Sequence, residues 1–104
     1  MAQFDVFENP NKATNQTIPY LLDVQSDLLD TLSTRVVVPL LSASAMNKAI
    51  KHLNPEFTIR NTAVHMSTAE LAGIPVWSIG EKVGSLRGQR HEIISALDFL
   101  FTGF

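Results

Sequence analysis

Three aspartates stand close together in one short segment, and their spacing is the first feature that suggests chemistry. They are Asp23, Asp27 and Asp30. Carboxylates this close can hold a hard cation or act as an acid–base pair. Alternatively, Asp and Ser side chains cap a turn between two strands here. We favour the turn. Leu28 and Leu29 lie inside it, and apolar side chains on an exposed connection typically mark a contact surface.

Histidines and arginines are the other candidates for catalysis. No histidine belongs to a metal-binding pair such as H-E-x-x-H, and no G-x-S-x-G elbow supports a serine nucleophile. Arginine beside histidine or aspartate can form a ribonuclease-type site, but surface and strand positions are the simpler interpretation. These residues are His52, His65, His91, Arg35, Arg60, Arg87 and Arg90. The sequence therefore contains no recognisable catalytic motif, and a Ser-His-Asp assembly stays open at this point.

Composition excludes several other classes of protein. The 104 residues suit one domain, 1–104, and 45% hydrophobic with 17% charged residues excludes a disordered chain. A net charge of −2 argues against direct nucleic-acid recognition or binding to anionic membranes. The lack of cysteine excludes disulfides and cysteine-ligated zinc. No signal peptide or membrane-length apolar run is visible, so we expect a cytoplasmic protein. We also expect no metal and no cofactor.

Short segments with strand character account for most of the sequence. They alternate or are rich in β-branched residues, and turn signals separate them as in a small barrel. The segments are 4–7, 18–24, 35–40, 57–59, 63–66 and 75–79. Pro39 lacks a ladder donor, which predicts a strand edge, bulge or end. Trp77, in the last segment, is predicted to lie in the core or an interface.

Helical signals are fewer. Ser42 predicts the cap of a short helix that Asn54-Pro55 ends, and its apolar stripe would be Met46, Ala49, Ile50 and Leu53. The sequence 67–70 predicts a single turn with a capping box. Gly80, Gly84 and Gly88 lack a following Lys-Ser/Thr pair, and they predict turns rather than a phosphate loop. The clearest helix begins near Ser85, with the face Leu86, Arg90, Ile93, Ile94, Leu97, Leu100, Phe101 and Phe104.

The end of the chain is unusually apolar. Phe99, Phe101 and Phe104 fall within the last six residues, where chain termini are usually polar and frayed. One small monomer buries three such rings with difficulty. We therefore predict an intermolecular interface at this end of the molecule.

Three blocks of the sequence closely resemble the CcdB family of toxins. The first is D-V-Q-S-D-L-L-D at 23–30 with R-V-V-V-P-L at 35–40. The second is I-P-V at 74–76 with I-G-E at 79–81, and the third is the last helix from Ile93 through Asp98 to Gly103. The similarity extends over nearly the whole chain in the same order, and the loop 9–17 matches least well.

This resemblance implies a mainly β fold: an SH3-like barrel of the CcdB and MazF type, with five antiparallel strands, a small extra sheet and a C-terminal α-helix. It also implies the homodimeric toxin of a bacterial type II toxin–antitoxin pair. Such a toxin is not an enzyme. It binds the A subunit of DNA gyrase and traps gyrase on cleaved DNA, and the disordered C-terminal segment of a CcdA-type antitoxin neutralises it.

The resemblance also assigns the binding residues. Its gyrase-binding positions are Leu28, Leu29, Asp98, Phe101, Thr102, Gly103 and Phe104. We assign the dimer interface to the apolar face of the last helix, at Leu97, Leu100 and Phe101. The best-known member ends in Trp-Gly-Ile, whereas this chain ends Thr102-Gly103-Phe104. Two alternatives stay open: a messenger-RNA endoribonuclease of the MazF and Kid type, using Arg35, Arg60 and His65, and a non-toxic antitoxin-binding homologue.

Overall fold

Seven antiparallel strands form one curled half-barrel sheet, followed by one α-helix, in the computed structural model, which describes residues 1–103. The strands are β1 (Asp5–Glu8), β2 (Tyr20–Asp23), β3 (Thr34–Ser42), β4 (Glu56–Ile59), β5 (Thr62–Met66), β6 (Ala72–Pro75) and β7 (Lys82–Ser85). Helix α1 is Arg90–Thr102, and 3-10 turns occupy Asp27–Leu29, Thr68–Glu70, Val76–Ser78 and Arg87–Gln89. The predicted mainly β fold with a C-terminal helix is confirmed.

The sheet branches at β3. The strand order is β4-β5-β3-β2-β1-β7, and β6 pairs with the first residues of β3, whereas β5 pairs with its last residues. Pro39 lies between these two pairing segments, not at the end of the strand. The Pro39 carbonyl accepts a hydrogen bond from the Ser67 N–H (2.9 Å). The N–H and C=O of one residue point to the same side of an antiparallel strand, so the N–H that Pro39 lacks would also point to this side, where pairing with β6 ends and pairing with β5 begins. Proline is tolerated in mid-strand for that reason.

One hydrophobic core joins the sheet to α1. Alternate strand residues are buried, among them Val6, Leu22, Val38 and Val64. Ile93 and Ala96 of α1 belong to the same cluster, whereas Ile94 and Leu97 pack at its margin. The helix begins five residues after the predicted start at Ser85, because Ser85 still belongs to β7 and Arg87–Gln89 is a 3-10 turn. At 13 residues α1 is too short to cross a bilayer, and no other helix within residues 1–103 is long enough.

The short helix predicted after Ser42 is wrong, because residues 43–55 form turns. The apolar face predicted for this helix is not covered by another element, and Ile50, one of its residues, is 51% exposed. Asn54 Oδ1 accepts the Ile50 N–H (2.9 Å), and His52 has a left-handed φ of 70°. A side-chain acceptor and a left-handed residue both interrupt helical geometry.

The segment between β5 and α1 also departs from the predicted pattern. The strand predicted at 75–79 lies earlier in the chain, as β6 at Ala72–Pro75. Residues 76–78 form a 3-10 turn instead, which the hydrogen bond from the Ser78 hydroxyl to the Pro75 carbonyl (2.8 Å) closes. Strand β7 was not predicted, and Gly84 lies within it rather than in a turn. Gly80 donates its N–H to the Glu8 carbonyl (3.1 Å), and a Cβ there would lie 2.5 Å from that oxygen. The predicted turn at 67–70 is confirmed as the 3-10 turn Thr68–Glu70.

Candidate binding face

The aspartate-rich segment folds as a turn that displays leucine. The Leu28 N–H donates to the Ser26 hydroxyl (3.2 Å), and the Leu29 N–H donates to the Ser26 carbonyl (3.0 Å). Leu28 is 91% exposed and Leu29 is 49% exposed. The turn interpretation is confirmed. Within residues 1–103, no three His, Asp or Glu side chains gather closely enough to hold a metal ion.

A buried ion pair lies directly behind this turn. Arg35 Nε donates to Asp23 Oδ2 (2.9 Å), its Nη2 lies 2.7 Å from the same oxygen, and both side chains are almost fully buried. Burial raises the pKa of Asp23, and the hydrogen bond from Arg35 opposes that rise. The predicted surface position of Arg35 is therefore wrong, since an arginine in a strand of β-branched residues has been drawn into the core by a carboxylate on the adjacent strand.

The same burial removes Arg35 from any ribonuclease-type site. His65 pairs with Leu41, six residues farther along β3, which places it about 20 Å from Arg35. Arg60 is exposed and lies 3.7 Å from a carboxylate oxygen of Glu8. The structure therefore does not bring together the arginine and histidine that the endoribonuclease alternative requires.

An apolar groove joins the leucine turn to the C-terminal helix. Its volume is about 330 Å³. Residues from the turn, from β3 and from α1 line it, and those with large apolar side chains are Val24, Leu29, Leu32, Val36, Leu71, Leu97 and Phe101. Leu29 and Phe101 both line it, although they are 72 positions apart in the sequence.

 Their separation along the chain is too long for a local repeat to relate them, so only the tertiary fold creates this groove.

Helix α1 distributes its binding candidates over two faces. Leu97 and Phe101 are one helical turn apart and line the groove, where Phe101 is 70% exposed. Asp98 and Thr102 are exposed on the neighbouring face, and the Thr102 hydroxyl donates to the Asp98 carbonyl (2.7 Å). Gly103 ends the helix with a left-handed φ of 80°. The remaining candidate, Phe104, lies outside the described residues.

The residues assigned to a dimer interface overlap this face. Leu97 and Leu100 are half-buried, and Phe101 is shared between the dimer and the gyrase assignments. Phe99 is directed elsewhere: it is half-buried, and its ring centroid lies 6.3 Å from that of His52. Only part of the apolar chain end is therefore buried within the monomer.

The histidines occupy two different environments. His52 and His91 line one cavity of about 310 Å³ together with Pro55, Glu92 and Ser95. His65 is mostly buried, and its Nε2 lies 3.4 Å from a carboxylate oxygen of Glu56. The sequence did not indicate that His52 and His91 meet, because a left-handed loop residue and a residue at the start of α1 share no periodicity.

Trp77 does not lie in the core. It belongs to the 3-10 turn Val76–Ser78 rather than to a strand, and it is 85% exposed. The prediction of a core position is wrong, because the turn that closes β6 directs the indole to solvent. The other half of that prediction, a position in an interface, stays a prediction.

A comparison with known families gives a match that extends over this whole arrangement. A family model described as "CcdB protein" matches residues 3–103 of the 104-residue chain. The match includes the leucine turn, the groove and α1.

Proposed function

The chain belongs to the CcdB family of toxin–antitoxin toxins, and we propose that it binds the A subunit of DNA gyrase and traps gyrase on cleaved DNA. The binding face consists of the leucine turn and the end of α1. Its members are Leu28, Leu29, Asp98, Phe101, Thr102, Gly103 and Phe104. This activity requires binding alone, without catalysis by the toxin.

One observation carries the proposal: large apolar side chains are exposed on two elements that border the same groove. Leu28 is 91% exposed on the turn, and Phe101 is 70% exposed on α1. Contiguous exposed apolar surface is uncommon on monomeric proteins and typically marks a protein–protein interface. A few anchors of this kind dominate the binding energy of most interfaces.

Leu28→Asp tests this face with little risk to the fold, since so exposed a side chain contributes little to the core. We expect the concentration needed for gyrase-dependent DNA cleavage to rise about 30-fold, which is the effect of losing one interface anchor. The assay combines purified protein, gyrase holoenzyme, ATP and supercoiled plasmid. Linear DNA released by detergent and protease is the measured product.

Ile50→Asp is the matched control, because Ile50 is also an exposed apolar residue but belongs to neither of the two elements that border the groove. It should leave the cleavage concentration unchanged. If wild-type protein produces no linear DNA at any concentration, the gyrase proposal is wrong. Equal potency of Leu28→Asp and wild type would remove the leucine turn from the binding face.

We also propose a homodimer in which the ends of two α1 helices meet. A twofold interface covers the same surface on both subunits, so Leu97, Leu100 and Phe101 would be covered twice. We infer that the cognate antitoxin covers part of this surface with a disordered C-terminal segment that folds on binding. The protein acts in the bacterial cytoplasm under this proposal, where gyrase and DNA are found.

Leu100→Asp should shift the protein towards monomer, because the substitution places a carboxylate in a desolvated apolar interface. Sedimentation at micromolar concentration should give twice 11.5 kDa for the wild type and a value nearer 11.5 kDa for the variant. Ser95→Asp, on an exposed position of the same helix, is the control and should stay dimeric. A wild type that sediments only as monomer would contradict the dimer.

A further inference from the structure

We propose that Gln25 is a positioning residue for gyrase binding, which sets the leucine turn against the groove; this inference rests on the proposed function. Gln25 borders the groove but is only 5% exposed, so it offers a partner almost no surface of its own. Its effect is on Leu28 and Leu29, which it holds in place through the backbone.

The Gln25 amide connects the turn to β3 with both of its ends. Its Nε2 donates to the Leu29 carbonyl (2.7 Å), and its Oε1 accepts the Val36 N–H (3.0 Å). Its own N–H donates to Asp23 Oδ1 (2.9 Å), so the residue is also fixed to the buried ion pair. Val36 lines the groove beside Leu29, and the amide therefore joins two walls of the same groove.

The turn has few other contacts that fix its position. None of the residues Asp27–Leu29 is buried, and a 3-10 turn of this length has little internal hydrogen bonding. A second tie, from the Gln3 N–H to Asp27 Oδ1 (2.8 Å), is exposed to solvent. Water competes with exposed hydrogen bonds, whereas a buried one holds its geometry. The buried Gln25 amide is thus the main restraint on the turn.

Only a side chain that donates and accepts at this length can make both contacts. Glutamate at position 25 keeps an acceptor for Val36 but loses the donor to the Leu29 carbonyl. Methionine has a similar length but makes neither hydrogen bond. Gln25→Glu and Gln25→Met thus release the turn in two chemically different ways.

The chain offers a matched control at Asn54. Its Nδ2 donates to the Met66 carbonyl (2.9 Å) and its Oδ1 accepts the Ile50 N–H (2.9 Å), so it also connects a loop to the sheet. It lies away from the groove. Asn54→Asp and Asn54→Leu therefore repeat the two changes at Gln25 without affecting the leucine turn.

The experiment measures three properties of all five proteins: affinity for purified gyrase A subunit, thermal unfolding, and amide hydrogen exchange. We expect the two Gln25 variants to bind about tenfold more weakly, the effect of one buried hydrogen bond, whereas the Asn54 variants bind like wild type. Exchange at the Leu28 and Leu29 amides should be faster in the Gln25 variants only. Both pairs of variants should lose thermal stability, the Asn54 pair less because its hydrogen bond from the Ile50 N–H is exposed to solvent.

The outcomes separate this inference from the proposed function. If wild type binds gyrase A and the Gln25 variants bind equally well, the positioning role is wrong. If Asn54 variants lose as much affinity as Gln25 variants, the loss reflects stability alone and the inference is overturned. If wild type does not bind, the gyrase proposal fails, and unchanged exchange at Leu28 and Leu29 in the Gln25 variants would then overturn the restraint on the turn as well.

Discussion

A chain that lacks residues 102–104 is expected to lose gyrase binding almost completely while keeping its fold. The deletion removes Thr102, Gly103 and Phe104, of which Phe104 lies outside the described residues. Thr102 and Gly103 are both exposed, so they contribute to the surface rather than to the core. If the chain end is a binding anchor, the dissociation constant for gyrase A should rise on the order of 100-fold or more.

The folded state should tolerate this deletion. Its losses are the Thr102 hydroxyl bond to the Asp98 carbonyl and the helix-ending bond from the Gly103 N–H to the Phe99 carbonyl (2.9 Å). A helix cap contributes about 1 kcal/mol, which corresponds to a few degrees in the unfolding temperature. The core residues Ile93 and Ala96 lie at least six residues before the deleted segment and stay in place. Thermal unfolding and sedimentation measure fold and dimer separately from gyrase affinity.

Two substitutions refine the result. Gly103→Ala has open space around its added Cβ, so its cost comes only from the left-handed φ of 80°, about 1 kcal/mol. A moderate loss of affinity would then show that this backbone conformation matters for gyrase binding.

Thr102→Trp should tighten binding, because it adds a large apolar anchor. If the truncated protein poisons gyrase at the wild-type concentration, the binding face at the chain end is wrong.

The strands that could be predicted from the sequence are those with alternating apolar or β-branched residues. Burial alternates in β4 and β5. In β2 the alternation is a property of the sequence only, since Leu21, Leu22 and Asp23 are all buried, and the β-branched run in β3 is recognisable without alternation. Strand β7 could not be predicted in this way, because Lys-Val-Gly-Ser has little strand propensity and is paired only through its neighbour β1. Its existence depends on the tertiary fold.

The errors in the loops have a similar origin. Periodic apolar residues after Ser42 suggested a helix, but a helix is stable only where its apolar face is covered, and Ile50 has no such cover. Trp77 suggested a buried strand, but β6 ends where β3 begins, since Pro75 pairs with Thr34. One more backbone bond follows, from the Val76 N–H to the Ser33 carbonyl (3.0 Å), and the backbone then turns at Val76–Ser78. Propensity alone contains no information about such partners.

The exposed residues of the candidate site could be predicted from the sequence, whereas the buried residues that hold them in place could not. Leu28 and Leu29 attract notice because apolar residues are unexpected in a polar turn. By contrast, the contact of the Gln25 amide with both Leu29 and Val36 depends on the exact register of β2 against β3. The burial of Arg35 likewise depends on its proximity to Asp23 across that strand pair. Sequence spacing does not distinguish these supporting residues from surface polar residues.

Arg35→Met is expected to be the most destabilising single substitution considered for this protein. It removes the partner of a carboxylate that is fully buried, and among residues 1–103 that carboxylate then keeps only the hydrogen bond from the Gln25 N–H. Removing one member of a buried ion pair typically costs about 3–5 kcal/mol, a large part of the stability of a small domain. Urea unfolding monitored by circular dichroism measures the change in the free energy of unfolding.

Arg60→Met is the matched control, since Arg60 is an exposed arginine 3.7 Å from Glu8. An exposed ion pair contributes about 1 kcal/mol or less, so this variant should remain close to wild type. The double variant Asp23→Leu with Arg35→Met should recover much of the stability, because it removes the uncompensated charge as well as its partner. Equal effects of Arg35→Met and Arg60→Met would contradict the importance of the buried pair.

The pH dependence of Arg35→Met provides an independent test of the same pair. Burial already raises the pKa of Asp23 above its ordinary value of 3.8, and Arg35 opposes that rise. Without Arg35 the folded-state pKa rises further, so the folded protein takes up a proton more readily than the unfolded chain. The free energy of unfolding of Arg35→Met should therefore increase, relative to that of Arg60→Met, as the pH falls through this raised pKa towards 3.8. A difference between the two variants that stays constant with pH would show that the carboxylate of Asp23 is not the source of the instability.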